Sequence, residues 1–185
     1  MTPVKRGTDL AVAALLAVPA MVVLGVCLIA GRASGTRDSF IRSRRAGLDG
    51  RPFDVWKLGT TTSDGRATRV GAVLRRTGLD ELPQLWNVIR GEMSVVGPRP
   101  LTTEFVDRYS TEQRRRLAVK PGLTGWAQVA GRHARTWPES FAFDVWYVEH
   151  RSVRLDLKIM LLTIVSLARR HRDDVVDHAN FPEFT

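Results

Sequence analysis

The chain has 185 residues, of which 44% are hydrophobic and 25% are charged, and its 28 basic and 19 acidic side chains give a formal net charge of +9. This composition excludes a disordered or fibrous protein, and the length allows one domain with an appendage. The single cysteine, Cys27, excludes an intramolecular disulfide and a zinc site built from thiolates. The positive charge predicts an anionic partner: a nucleic acid, an acidic membrane surface or a phosphorylated substrate.

An apolar run of 21 residues without a charge begins at Leu10 and ends at Ala30. It is long enough for a bilayer-spanning helix, and the basic residues before it leave a cleaved signal peptide as an alternative. Basic residues flank both ends, so the positive-inside bias favours neither orientation of a spanning helix. Pro19, in the middle of the run, removes a helical hydrogen bond. We therefore expect residues 1–31 to form a re-entrant membrane helix that breaks at Pro19, with an unbroken single span as the alternative.

Residues 32–51 contain six arginines and only two acidic residues. We expect a solvated arm here, and contact of the arginines with lipid headgroups or substrate phosphates is the alternative. Residues 32–167 are predicted to form one globular domain on the membrane. Residues 168–185 are predicted to be a peripheral tail.

Local patterns predict several elements of that domain. Short strands are expected at residues 53–58 and 68–73, where β-forming residues lie between turn formers. Residues 79–90 are predicted to be a helix. Its apolar face consists of Leu82, Leu85, Trp86 and Ile89.

Later helices carry clearer signals at their N-termini. Ser110 with Gln113, and Thr136 with Glu139, match the capping-box pattern. Residues 155–167 are predicted to form a helix that is apolar except for one narrow polar stripe, typical of a buried or membrane-interface helix. The predicted fold class is mainly α with a few short strands (α+β), as one compact unit with amphipathic interface helices.

The densest cluster of candidate functional residues begins with two adjacent carboxylates, Asp80 and Glu81, at the start of a predicted helix. Free backbone amides and the helix dipole favour the ionised form of acidic residues there, which is also the usual structural reason for such a pair. Arg75 lies just upstream, and Arg99 follows between Pro98 and Pro100. Two prolines fix the backbone around this arginine and aim its guanidinium, which suits recognition of a phosphate.

Adjacent carboxylates with fixed arginines suit Mg²⁺-dependent phosphoryl transfer, in which the carboxylates hold the metal or attack phosphorus. The chain has no Walker A motif and no GxGxxG fingerprint, so a kinase, an ATPase or a Rossmann enzyme is not supported.

The order of short motifs along residues 5–167 resembles one enzyme family, the bacterial sugar transferases, which are small monotopic phosphoglycosyl transferases. The matching motifs are RAGLDGRPF from Arg45, LRRT from Leu74, LDELPQL from Leu79, GPRPL from Gly97, PGLTGWAQ from Pro121, DVWY from Asp144 and LDLK from Leu155.

The resemblance implies transfer of a phosphosugar from a UDP-sugar to a membrane polyprenol phosphate, undecaprenyl phosphate in particular, with release of UMP. Asp80 would be the nucleophile that forms a covalent intermediate, and Glu81 would assist; both would hold Mg²⁺. The phosphates would be bound by Arg75, Arg99 and Lys57, with structural support from Pro98, Pro100, Gln128 and Arg132. The family works on the cytoplasmic face of the bacterial plasma membrane, so contact with membrane lipids and none with nucleic acid is expected.

One segment departs from the family pattern. The sequence after Lys57 is Leu-Gly-Thr-Thr, where the family usually has Phe-Arg-Ser/Thr-Met. Two alternatives to an active enzyme follow: a catalytically impaired scaffold of glycan assembly, suggested by this segment, and a membrane-anchored nucleic-acid-binding protein, suggested by the charge. The chain contains no recognised DNA or RNA module, which counts against the second.

Overall fold

The structure of the chain, a computed structural model, describes residues 3–131 and 136–169. It is mainly helical with a few strands, as predicted. The helices are α1 (Pro3–Ala33), α2 (Arg69–Thr77), α3 (Leu85–Arg90), α4 (Thr111–Arg114), α5 (Trp126–Val129), α6 (Trp137–His150) and α7 (Val153–Arg169). The strands are β1 (Phe40–Ala46), β2 (Pro52–Leu58), β3 (Ser94–Val96) and β4 (Gly122–Thr124). Arg132 and residues 170–185 of the predicted tail lie outside the described residues.

The strands form two small pairs. β1 and β2 are antiparallel, with Phe40 opposite Leu58 and Ala46 opposite Pro52. The shorter β3 and β4 are parallel. Strand β1, which was not predicted, lies within the segment expected to be a solvated arm, and its Arg42 and Arg44 are exposed whereas Arg45 is half-buried.

The strand predicted at residues 68–73 is instead the beginning of helix α2. The Thr68 hydroxyl accepts a hydrogen bond from the Gly71 N–H at 2.8 Å, and Gly78 ends the helix with a φ of 74°. An N-cap at one end and a left-handed glycine at the other outweigh the β-propensity of this segment.

Residues 79–90 are helical, but not as one helix. A 3₁₀ segment, Leu79–Gln84, precedes α3. The tighter 3₁₀ winding changes the angular phase, so a face drawn at 3.6 residues per turn does not continue across Gln84. Trp86 and Ile89, predicted on the apolar face, are 56% and 40% exposed, whereas Asn87 and Val88 are buried.

The predictions for the later helices are confirmed in outline. Ser110 and Gln113 form both bonds of a capping box, and the Thr136 hydroxyl accepts from the Glu139 N–H. Helix α7 covers the predicted residues and buries Asp156. It leaves an apolar face exposed, which includes Leu157, Leu161 and Ile164.

Helix α1 is continuous through Pro19, so the prediction that the helix breaks there was wrong. It is long and apolar enough to cross a membrane, judged by length and composition alone. Near its N-terminus Asp9 and Ala13 are buried, and near its C-terminus Cys27 packs against Leu58 and Leu74. Both ends of α1 thus contact the same globular unit, while the opposite face of the helix exposes apolar side chains such as Leu15, Met21, Val22, Val26 and Ile29.

A buried charged cluster attaches the N-terminal end of α1. Lys5 Nζ lies 2.7 Å from Asp156 Oδ2 of α7 and 3.3 Å from Asp9 Oδ1. The Ser94 hydroxyl of β3 donates to Asp9 at 2.8 Å. Lys5 also donates to the carbonyl oxygen of Val96. The cluster therefore joins α1, α7 and β3 at one point.

Helix α2 lies unusually close to the chain that follows β2. A Cβ atom at Gly71 would collide with the Thr60 carbonyl group, so this helical position requires glycine for space. Gly→Ala in a helix normally stabilises a protein by about 0.5–1 kcal/mol. We expect Gly71→Ala instead to destabilise the fold by about 1–3 kcal/mol, because the backbone must move.

Thermal unfolding in detergent measures this effect, with Gly7→Ala as the matched control. Gly7 is also helical, but no neighbouring atom lies within 4 Å of the position that an alanine methyl group would take there. The control should melt at or above the wild-type temperature, and an equally stable Gly71→Ala variant would contradict the close approach.

Candidate active site

Asp80 and Glu81 lie in the 3₁₀ segment Leu79–Gln84, directly after the left-handed Gly78. This segment packs against strand β2, which carries Lys57. The sequence predicted that the two carboxylates begin a regular α-helix. They lie instead in a tight 3₁₀ turn between α2 and α3.

Glu81 is held by two cations. Its carboxylate lies 2.6 Å from Lys57 Nζ and 2.7 Å from Arg99 Nη2, with a second bond of 3.3 Å from Arg99 Nη1. Burial alone would raise the pKa of Glu81, but the charges of Arg99 and Lys57 outweigh it and lower the pKa from 4.5 to about 2. Sequence reasoning named all three residues, and the structure brings them together.

Asp80 has a different environment. Its half-buried carboxylate forms no ion pair and accepts no hydrogen bond from any other residue in the described part of the chain. Burial, and then the negative charge of Glu81, raise its pKa above the usual 3.8. The expectation that the helix start would favour the ionised form was thus wrong for Asp80, because desolvation and a like charge dominate.

The loop that carries Arg99 is fixed at four of its five residues. The Gly97 N–H donates to Thr124, and the carbonyl groups of Pro98, Arg99 and Leu101 accept from Gly122, Arg116 and Ala46, all at 2.8–3.0 Å. Three of these contacts are between backbone groups, and the fourth comes from a side chain. The flanking prolines thus act together with hydrogen bonds from β1 and β4 to aim Arg99.

The side chain that holds Arg99 belongs to a buried ion pair. Arg116 and Asp144 are each only 3% exposed and are 2.6 Å apart. Arg116 also donates to the Tyr109 hydroxyl and stacks on Phe141, with 4.8 Å to the ring centroid. The sequence analysis did not identify this pair, because its two members lie 28 residues apart and only the folded chain brings them together.

A shallow depression opens beside Glu81. It encloses about 340 Å³ when the space open to solvent is included. Its lining consists of Arg45, Val55, Lys57, Glu81, Gln84, Arg99, Pro100, Leu101 and Gly122. Arg45 was not among the predicted site residues. Recognition of β1 as a strand would have placed Arg45 on the same face as Ser43 and on the opposite face from Arg44.

Other predicted residues lie apart from this lining. Arg75 is exposed on α2, and its Nε donates to the Thr60 hydroxyl at 2.8 Å. Gln128 is half-buried on α5, and among the described residues its side chain makes a single long contact, 3.5 Å from Nε2 to the Leu123 carbonyl oxygen. Neither residue lines the depression, and neither does Pro98, whose carbonyl oxygen accepts from the Gly122 N–H.

The unusual segment after Lys57 has a steric explanation. A Cβ at Gly59 would collide with the Asp38 carbonyl group, and the Gly59 N–H donates to Ser39. A larger residue cannot occupy this position without movement of the backbone. Lys57 nevertheless reaches Glu81, so the departure from the family pattern leaves this contact intact.

The carboxylates fit Mg²⁺ only in part. Within residues 3–131 and 136–169, no group of three or more His, Cys, Asp or Glu side chains could hold a metal ion. The oxygens of Glu81 are already engaged by Lys57 and Arg99. Asp80 alone offers an unpaired carboxylate, which suits a Mg²⁺ ion whose other ligands are substrate phosphates and water.

Comparisons with known proteins agree with these features. The family profile described as bacterial sugar transferase matches residues 1–170. An uncharacterised sugar transferase of Bacillus subtilis (strain 168), EpsL, is 38% identical over 98% of this chain and 95% of its own length. The UDP-glucose:undecaprenyl-phosphate glucose-1-phosphate transferase of Caulobacter vibrioides is 39% identical, over 88% of this chain and 69% of its own length. The Escherichia coli (strain K12) protein of the same name is 37% identical, and the match covers 86% of this chain but 39% of that protein.

The lowered pKa of Glu81 predicts how stability depends on pH. A carboxylate whose pKa is lowered on folding stabilises the protein above its unfolded pKa, and this contribution is lost as the pH falls. A shift from 4.5 to about 2 corresponds to a contribution on the order of 3 kcal/mol. We expect the melting-temperature difference between wild type and Glu81→Gln to be constant near neutral pH and to shrink from about pH 5 downwards.

Thermal unfolding from pH 7 to pH 3 measures this difference. Glu112→Gln is the control, because it removes only an exposed pair with Arg115 and should change the melting temperature little. A difference that stays constant down to pH 3 would show that Glu81 is not held by the two cations in solution.

Proposed function

Because this chain belongs to the bacterial sugar transferase family, we propose that it transfers a sugar phosphate from a UDP-sugar to undecaprenyl phosphate. Relatives of the chain carry names that state this kind of reaction for them. The proposed reaction begins the assembly of a glycan on the membrane.

The observation that carries the proposal is the contrast between the two adjacent carboxylates. Glu81 is neutralised by Lys57 and Arg99, whereas Asp80 has no ion pair and a raised pKa. A carboxylate that is more basic and unpaired is a better nucleophile than one that is held by two cations. We therefore assign attack on phosphorus to Asp80 and the positioning of Lys57 and Arg99 to Glu81.

The proposed reaction has two steps. In the first, an Asp80 carboxylate oxygen bonds to the sugar-bearing phosphorus of the donor, and the bond from that phosphorus to the oxygen of UMP breaks. In the second, a phosphate oxygen of undecaprenyl phosphate attacks the same phosphorus and releases the Asp80 carboxylate. Each step replaces one bond at phosphorus with another, so no oxidant or additional reactant is needed.

Arg99 and Lys57 are positioned to stabilise the phosphate oxygens. When the donor binds, its negative charges compete with Glu81 for these cations, and Glu81 keeps them in place before and after each step. A Mg²⁺ ion bound to donor phosphates, with Asp80 as a protein ligand, would supply further neutralisation of charge. The Arg99 carbonyl contact from Arg116 keeps the guanidinium aimed at the depression throughout.

The contacts of α1 bear on how the protein lies in the membrane. A 31-residue helix is about 46 Å long, and both ends of α1 pack against the globular unit. A helix that crosses the bilayer would carry one end away from a domain that lies on one side. We therefore propose a monotopic arrangement in which α1 lies in one leaflet, with its exposed apolar face in lipid and the domain on the cytoplasmic face.

The nucleophile is tested by mass spectrometry of protein incubated with UDP-glucose or UDP-galactose and Mg²⁺, without acceptor. Wild type should gain the mass of a hexose phosphate on the peptide that contains Asp80, and should release UMP in one turnover. Asp80→Asn should lose both, because the amide is not a nucleophile, while Asp64→Asn in an exposed loop should behave as wild type. Turnover without an adduct, and only when both substrates are bound, would show direct transfer instead.

The topology is tested with single cysteines in a Cys27→Ser background. Val4→Cys lies before the apolar run and Ser63→Cys lies in an exposed loop of the domain. A membrane-impermeant maleimide should label both in inside-out vesicles and neither in intact cells. Labelling of Val4→Cys from outside, with Ser63→Cys still inside, would establish a spanning helix.

A further inference from the structure

Arg45 brings a third cation into the depression. In strand β1, Arg44 lies on the exposed face, whereas Arg45 lies on the half-buried face with Ser43. Arg45 lines the depression with Lys57 and Arg99. The neighbouring Ala46 N–H donates to the Leu101 carbonyl at 2.9 Å, which fixes β1 against the end of the loop that carries Arg99. The position of Arg45 is therefore set by the same backbone contacts that define the site.

The charges in the depression are not balanced at Arg45. Lys57 and Arg99 both pair with Glu81, and on the outer face Arg42 and Arg44 lie 3.6 Å from Asp54. Arg45, in contrast, forms no hydrogen bond or ion pair through its side chain with any residue of the described ranges. It is the one guanidinium in this described lining that has no carboxylate partner.

Arg45 also lies in the positive field of Arg99. Burial, and then the positive charge of Arg99, lower the pKa of Arg45. The negative charge of Glu81 raises this pKa, but not enough to cancel the other two effects. A guanidinium remains charged in proteins, so this cost is relieved only by an anion. Two arginines beside one depression form a typical receptor for phosphate oxygens, which accept paired N–H groups.

We propose that Arg45 is a binding residue for a substrate phosphate group in the depression that it lines together with Arg99 and Lys57. The inference rests on the proposed function, since it requires a substrate that carries phosphate. Two sources share this chemistry: the diphosphate of the nucleotide sugar and the phosphate of the lipid acceptor. Arg45 provides the anion-binding capacity that Glu81 removes from the other two cations.

Direct binding to the full-length protein in nanodiscs tests the first source. Isothermal titration with UDP and Mg²⁺ compares wild type, Arg45→Gln, Arg45→Lys and the control Arg44→Gln. Loss of a charge-assisted contact should raise Kd about 10-fold or more in Arg45→Gln. Arg45→Lys should recover part of this loss, and Arg44→Gln should remain within about twofold of wild type because its pair with Asp54 is exposed.

The acceptor is tested in a second arm. Protein that already carries the phosphosugar is mixed with undecaprenyl phosphate, and the transfer rate is followed against acceptor concentration. If UDP binding is unchanged but Arg45→Gln raises the acceptor KM about 10-fold, the lipid phosphate is the group that Arg45 binds. A change in UDP affinity alone identifies the nucleotide diphosphate.

Two outcomes overturn the inference, and they differ from failure of the proposed function. If wild type is active and Arg45→Gln, with an unchanged melting temperature, keeps both UDP affinity and acceptor KM within about twofold, Arg45 binds no phosphate. If Arg45→Gln fails to fold, Arg45→Lys takes its place in the comparison, and wild-type behaviour in both UDP affinity and acceptor KM rejects a guanidinium-specific role. If wild type itself binds no UDP and forms no adduct, the proposed function fails and this inference fails with it.

Discussion

The buried ion cluster of Lys5, Asp9 and Asp156 is the contact on which the arrangement of this protein depends. Removing one partner of a buried ion pair leaves an uncompensated charge, so such a cluster is stable only when all members are present. Here the members come from α1 and α7, and Ser94 of β3 completes their hydrogen bonds. Lys5 and Tyr147 both donate to the carbonyl oxygen of Val96, the residue directly before the loop that carries Arg99. Helix α1 and the loop that carries Arg99 are therefore fixed by one set of charges.

The candidate active site contains two neighbouring carboxylates in different electrostatic environments. Glu81 and Asp80 are adjacent in sequence, yet their pKa values move in opposite directions, because only Glu81 faces Lys57 and Arg99 closely. Pairs of titratable groups with divergent environments commonly differ in chemical role. The 3₁₀ turn makes the contrast possible, since it directs the two side chains to different surroundings within one turn.

Much of this arrangement could be predicted from local patterns. The caps of α4 and α6, strand β2, helix α7 and the grouping of Glu81 with Arg99 are visible as short motifs whose physical cause is local. The apolar face of residues 79–90 could not be predicted in the same way, because a count of helical periodicity cannot detect a 3₁₀ segment before a short helix. Strand β1 and the buried pair of Arg116 and Asp144 were also missed. Adjacent arginines are normally interpreted as exposed when only the sequence is known, and the long-range contacts of the fold decide which of them face inwards.

The long-range nature of the anchor affects how the protein is made. Lys5 of α1 is synthesised well before its partner Asp156, which lies in α7. During synthesis helix α1 must therefore exist for some time with the Lys5–Asp9 pair alone, without the contacts to Asp156 and Ser94. Lipid headgroups at the membrane surface are the medium that can accept both an apolar helix face and these charges in the interval. Docking of α7 then joins Lys5 to Asp156, so this part of the fold can assemble only after α7 has been translated.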